Sequence, residues 1–130
     1  MPRDTTVSPN RVVAFAVGGV YLALGALSFL STRDLGFFDP GGVWLLDVLA
    51  VNSAQNVVHL ALGAALVLGG LSAWPARVNS IVGATLLALG IAGLFLSGTP
   101  VNILAFNGAS NLVHFATAAC LLTVGLGARR

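Results

Sequence analysis

Lysine and glutamate are absent from this sequence, and its 130 residues carry only six arginines and four aspartates, 8% charged residues in all. So few charged side chains cannot cover a soluble globule of that size. The formal charge of +2 comes from scattered arginines, without the dense basic face that nucleic acid requires, so nucleic acid is not an expected partner. A single cysteine excludes an internal disulfide, and Cys120, set inside an apolar run, reads as a small buried hydrophobe. Also missing are a Cys-x-x-Cys-His motif, a phosphate-binding glycine loop, the spacing of a nucleophilic triad and paired carboxylates within the apolar runs. No catalytic residue is assigned, and no enzyme is expected.

What the chain does have is hydrocarbon: 57% of its residues are hydrophobic and the mean hydropathy is +0.95. The lipid bilayer is therefore its first expected partner. Arginine without lysine, together with the bias to Ala, Gly, Val and Leu, points to a bacterial genome of high GC content.

Residues 1–10 are polar, with nothing to bury, and read as a disordered N-terminus. Val12 to Leu30 is an uncharged run of 19 residues, long enough at about 1.5 Å per residue to cross a core roughly 30 Å thick. The first crossing is placed at 11–31. A cleaved signal peptide competes, but its apolar region is usually only about 7–15 residues. The run Val17-Gly-Gly-Val-Tyr-Leu-Ala-Leu-Gly25 also returns as Val82-Gly-Ala-Thr-Leu-Leu-Ala-Leu-Gly90 in an internal span, so retention is expected. Further crossings are read at 52–72, 78–97 and 107–127, joined by the turn Trp74-Pro-Ala-Arg77 and an uncharged stretch after Pro100. The longest connection holds Arg33, Asp34, Asp39 and Asp47; its second half, Val43 to Val51, is too short to span and reads as an interfacial helical segment. Trp44, Phe37 and Phe38 would lie at headgroup level.

The expected fold is all-α: one membrane domain over 11–130, a four-helix bundle of two tandem helix hairpins related by an internal repeat. Arg3, Arg11, Arg77, Arg129 and Arg130 share one side and Arg33 lies on the other, which predicts a multi-pass cell-membrane protein with both termini cytoplasmic. Gly18 and Gly25 match Gly83 and Gly90, and Gly19-x3-Ala23 matches Ala84-x3-Ala88; such faces permit close helix approach and are expected to join the hairpins.

The repeat is sharpest at Asn52-Ser-Ala-Gln-Asn56-Val-Val-His59, which returns 55 residues later as Asn107-Gly-Ala-Ser-Asn111-Leu-Val-His114. Positions i, i+4 and i+7 share a helix face, so each box lays two asparagines and a histidine in one stripe, with Asn52 suited to cap its helix. Polar side chains at such depth hydrogen-bond neighbouring helices and fix their register. They also mark binding sites, here for a polar headgroup, a quinone or a small solute. The candidate ligand-binding residues are Asn52, Asn56, His59, Asn107, Asn111 and His114, with Tyr21 near mid-bilayer and in reach of His59 or a backbone carbonyl. No cofactor or metal is expected; the alternative makes His59 and His114 ligands of a haem or metal.

The run Leu45-Leu-Asp-Val-Leu-Ala-Val-Asn52-Ser-Ala-Gln-Asn56-Val-Val-His59-Leu-Ala-Leu-Gly63, followed by a third span and the second box, resembles the bacterial membrane family called domain of unknown function 4383 over nearly the whole chain after Asn10. That family often shows His-Asn-x-x-His in the first box and an acidic residue near the second asparagine; here Gln55 and Ser110 stand in those places. The resemblance implies a four-span integral protein of the cell membrane and brings no activity with it. The architecture is also similar to small redox-associated membrane proteins of the DoxX type. The resulting expectation is a non-enzymatic binding or interaction protein, with a membrane-protein partner or a second copy of itself; the alternative is a haem-, quinone- or other ligand-binding redox subunit using His59 and His114.

Overall fold

The computed structural model of the chain describes residues 7–127, so the disorder expected of Met1 to Thr6 and the place of Arg129 and Arg130 lie outside the described residues. The elements in chain order are α1 (Pro9–Ser28), β1 (Val43–Leu45), β2 (Leu49–Val51), α2 (Ser53–Leu71), α3 (Pro75–Leu96) and α4 (Gly108–Gly127). Each helix is long and apolar enough to cross a membrane, and α1 packs closely on α2 as α3 does on α4. The protein is a multi-pass, four-helix membrane bundle of two hairpins.

Helices α1 and α3 start earlier than the sequence reading places them, for the same reason. Pro9 and Pro75 occupy the first helical turn, where a missing N–H leaves no bond unmade. Residues Pro9 and Asn10 are therefore helical, and Asn10 is fully buried: its backbone oxygen and Oδ1 both accept from Asn79 Nδ2 of α3, at 3.0 and 2.8 Å. Arg11 caps the far end of α2, donating to the carbonyls of Gly70 and Ser72, where a cation also meets the negative end of the helix dipole.

The glycine faces close each hairpin internally, which corrects the expectation that they join one hairpin to the other. Gly18 lies against Gly63, Leu66 and Val67, and Gly25 against Asn56 and Leu60, all on α2; Gly83 and Gly90 meet Leu121, Leu122 and Phe115 on α4. Gly19 has nothing within 4 Å, and Gly19, Ala23, Ala84 and Ala88 are exposed, so that second small-residue pattern faces out of the bundle. Cys120 is likewise exposed, because the buried stripe of α4 runs Ser110, Asn111, His114, Ala118, Leu121, Gly125 and misses it. The hairpins meet instead through Tyr21, Leu66, Val82, Leu86, Ala118 and Leu121.

Val43 to Val51 is a β-hairpin and not the expected interfacial helix. Its strands pair antiparallel, Val43 opposite Val51, Trp44 opposite Ala50 and Leu45 opposite Leu49. The three residues Leu46 to Val48 join the strands: Leu46 and Asp47 take φ of 51° and 56°, and Val48 N–H donates to Leu45 O at 3.0 Å. Before it, Asp39 Oδ1 accepts the N–H groups of Gly41 and Gly42 at 2.9 and 3.1 Å. Gly42, at φ 62°, packs its Cα face against Val51 and Ala105, where a side chain would collide.

Candidate functional site

Both boxes lie where α2 and α4 begin, beside the β-hairpin, and the structure divides their residues between two roles. Asn52 caps α2, its Oδ1 accepting the N–H of Gln55 at 2.9 Å, while its Nδ2 donates to Asp39 O and Ile103 O, both at 2.9 Å. Asn107 does the same for α4: Oδ1 accepts from Ser110 N–H at 2.9 Å, the Asn107 N–H donates to Ser110 Oγ, and Nδ2 donates to Val48 O at 2.7 Å. Asn102, which the sequence reading passed over, joins this layer by donating to Phe106 O and Pro40 O and accepting from Phe106 N–H. These three asparagines tie the two long connections and the β-hairpin into one cover. Their amides are occupied by backbone groups.

One turn deeper, Asn56 turns toward the end of the first hairpin's leading arm, donating from Nδ2 to Oγ1 of Thr32, in the turn that follows α1, at 3.2 Å, a hydroxyl that Ser53 Oγ also reaches at 3.2 Å. Asn111 presses its amide against Gly93 of α3, where any side chain would overlap it. Each of these asparagines thus faces its own hairpin partner. The single stripe expected for each box is split.

The histidines converge. His59 and His114 are 4% and 2% exposed, and their rings stand 6.2 Å apart, centre to centre, at 67°. Tyr21 meets His59 edge to face at 5.4 Å, and Phe106 meets His114 at 5.8 Å, so four rings form a row across the bundle. The Tyr21 hydroxyl lies toward Thr117 without a well-formed hydrogen bond, and it bonds neither His59 nor a backbone carbonyl. Helices α2 and α4 are not a close-packed pair, so the imidazoles bridge a gap between them.

That gap is a cleft of about 250 Å³, mouth included, with room inside for about one water molecule. Gln55, His59, Ser110 and His114 line it with surface that is almost wholly carbon, their polar atoms lying just behind it, together with Leu49, Ala50 and Val51 of the β-hairpin, Leu24 of α1 and Val113 of α4. Among the described residues, no charged side chain lines it. Gln55 is 2% exposed, yet neither its Nε2 nor its Oε1 has a partner among the described residues; the Nδ1 atoms of His59 and His114 have none there either. Gln55 and Ser110 were absent from the sequence-derived candidates. The signal was there: each stands four residues before its histidine, on the same helix face and at the same point of the two boxes. Among the described residues, no group of three or more His, Cys, Asp or Glu side chains gathers anywhere, so a metal here would have two protein ligands.

The chain belongs to the family Domain of unknown function (DUF4383), which matches residues 11–127. No curated protein and no solved structure matches it.

Proposed function

We propose that this member of the family is a non-enzymatic binding protein of the bacterial cell membrane that takes a small hydrogen-bonding group into the cleft between His59 and His114. One observation carries the reading: among the described residues, both polar atoms of buried Gln55 and the Nδ1 atoms of the two histidines lack partners beside the same cleft. Leaving a buried polar group unpaired costs roughly 1–3 kcal/mol. The side-chain amides of Asn52, Asn102 and Asn107 are satisfied, and Asn56, Asn79 and Asn111 each leave Oδ1 without a partner among the described residues, whereas Gln55 leaves both of its polar atoms so. A ligand donating and accepting hydrogen bonds would remove that cost.

The two halves are read as a duplicated hairpin. Gly18 and Gly83, Gly25 and Gly90, and the two histidines occupy like places in their hairpins, which supports that reading. Arginine placement supports cytoplasmic termini, with the cleft toward the outer surface. Cysteines introduced at Gly41 and Arg129 should then label from opposite sides of intact cells.

The test of the site is Gln55→Leu. If Gln55 serves binding, a ligand that co-purifies with the wild type is lost from the variant, and with both proteins stripped of ligand the variant melts at or above the wild-type temperature, because an unpaired polar group has been removed. A variant that melts lower with its bound ligand retained would make Gln55 structural and end the proposal.

The facing pair of imidazoles also supports the redox alternative, since histidine rings are common ligands of haem iron and other metals. The room in the cleft weighs against it: a macrocycle or quinone ring would require the β-hairpin to move away. A Soret band in the purified protein, lost in His59→Ala, would decide for haem.

A further inference from the structure

We infer that the ligand is an uncharged chain amphiphile with a hydroxyl or carbonyl head, and that it reaches the cleft sideways from the bilayer, between α1 and α4. The inference rests on the binding reading above and adds the ligand's class and route.

The route follows from which walls are closed. On the side of the helix N-termini, β2 covers the cleft and is fastened by Asn107 Nδ2 to Val48 O; the chain leading into β1 is fastened by Asn52 Nδ2 to Asp39 O, with Gly42 packed on Val51 and Ala105. Below the histidines lie Tyr21, Leu66, Leu86 and Leu121, each 2% exposed or less, a dry seal across the bundle. The remaining flank is made by Leu24, half-buried, and Val113, 38% exposed. These belong to helices of different hairpins that touch far less than α1 and α2 or α3 and α4 do. Val113 lies six residues beyond Asn107, so the opening sits about 9 Å along α4, at a depth where lipid chains rather than water surround the protein.

The class follows from the lining. An ionised head would enter a wall with no counter-charge, which is costly in a medium of low dielectric. An alkane would leave the amide of Gln55 and both imidazoles unpaired. A hydroxyl or carbonyl oxygen occupies about the space of one water, can accept from Gln55 Nε2 or an imidazole N–H, and leaves its chain to pass between Leu24 and Val113 into lipid.

The experiment uses the full chain in lipid nanodiscs and a diazirine-bearing analogue of 1-decanol, with cross-links mapped by peptide mass spectrometry. Labelling should concentrate on the α1 and α4 peptides that carry Leu24 and Val113. It should be competed by 1-decanol and not by decane or by decanoate at alkaline pH. Gln55→Leu should weaken it about tenfold, the equivalent of one lost hydrogen bond to a buried group. Leu24→Trp, with helicity and monodispersity unchanged, should abolish it. Competition by decanoate, or by short water-soluble alcohols with Leu24→Trp without effect, would overturn the inferred class or route while leaving a binding site at Gln55. Labelling spread evenly over all helices and identical in wild type and Gln55→Leu would overturn the site as well.

Discussion

Gly63 is the position at which the packing of the first hairpin is most exposed to test. A methyl group there would lie 2.7 Å from Leu22 N, 2.8 Å from Gly18 O and 2.9 Å from Leu22 Cγ. Two of those three atoms are α1 backbone, which cannot swing aside as a side chain can, so Gly63→Ala must push the helices apart. Forcing an extra methyl into a packed contact costs about 1–3 kcal/mol, and a gap of 0.5–1 Å elsewhere along the seam forfeits roughly a quarter to a half of each dispersion contact it opens. Alanine also favours the helix over glycine by up to about 1 kcal/mol, which hides part of the loss. Gly19→Ala supplies the reference, because that position has nothing within 4 Å and receives the same helix preference without a collision. The difference between the two variants isolates the packing term and should be about 1–3 kcal/mol, Gly63→Ala being the less stable. Reversible unfolding in mixed micelles measures it. Equal stability of the two variants would mean that α1 and α2 do not approach as closely as the structure has them.

That seam also shows what a sequence of this kind reveals and what it hides. The four crossings were legible because apolar runs of 18 or more residues admit few other readings, and the paired histidines because their boxes recur. Which face of each helix turns inward was not legible: in a bilayer both faces are apolar, so Gly18 and Gly19, or Cys120 and Leu121, look alike until the partner helix is known. Helix starts lie earlier than the apolar runs indicate because Pro9, within a polar stretch, and Pro75, within the turn Trp74 to Arg77, sit in first helical turns, where proline is favourable. The β-hairpin was missed because its reversal uses Leu46 and Asp47 at positive φ, where Asn-Gly or Asp-Gly would have announced it. In the site, drawing the stripe from Asn52 at i+4 and i+7 selected Asn56, which faces the turn that follows α1. The cleft lies about 100° around the helix, on the line from Gln55 to His59.

Two further perturbations probe the ends of the bundle. Arg11→Gln removes the cation that caps α2 at Gly70 and Ser72, and should cost up to about 2 kcal/mol in the same unfolding assay; an unchanged midpoint would show those carbonyls to be satisfied otherwise. Asn107 joins two roles that a pair of variants can separate. Its Oδ1 caps α4 through Ser110 N–H, and its Nδ2 holds the β-hairpin through Val48 O. Asn107→Asp keeps an acceptor for the cap and removes the donor, whereas Asn107→Ala removes both. In Asn107→Asp the amides of residues 43–51 should exchange with solvent about tenfold faster, as expected for one lost hydrogen bond of about 1–1.5 kcal/mol, while the first turn of α4 stays protected. In Asn107→Ala the first turn of α4 should lose protection as well, by the roughly 1 kcal/mol that an N-cap supplies. Hydrogen exchange read by mass spectrometry resolves the two segments. Wild-type protection of residues 43–51 in Asn107→Asp would mean that the bond to Val48 does not hold the β-hairpin over the cleft, and that its cover depends on Asn52, Asn102 and the packing of Gly42 alone.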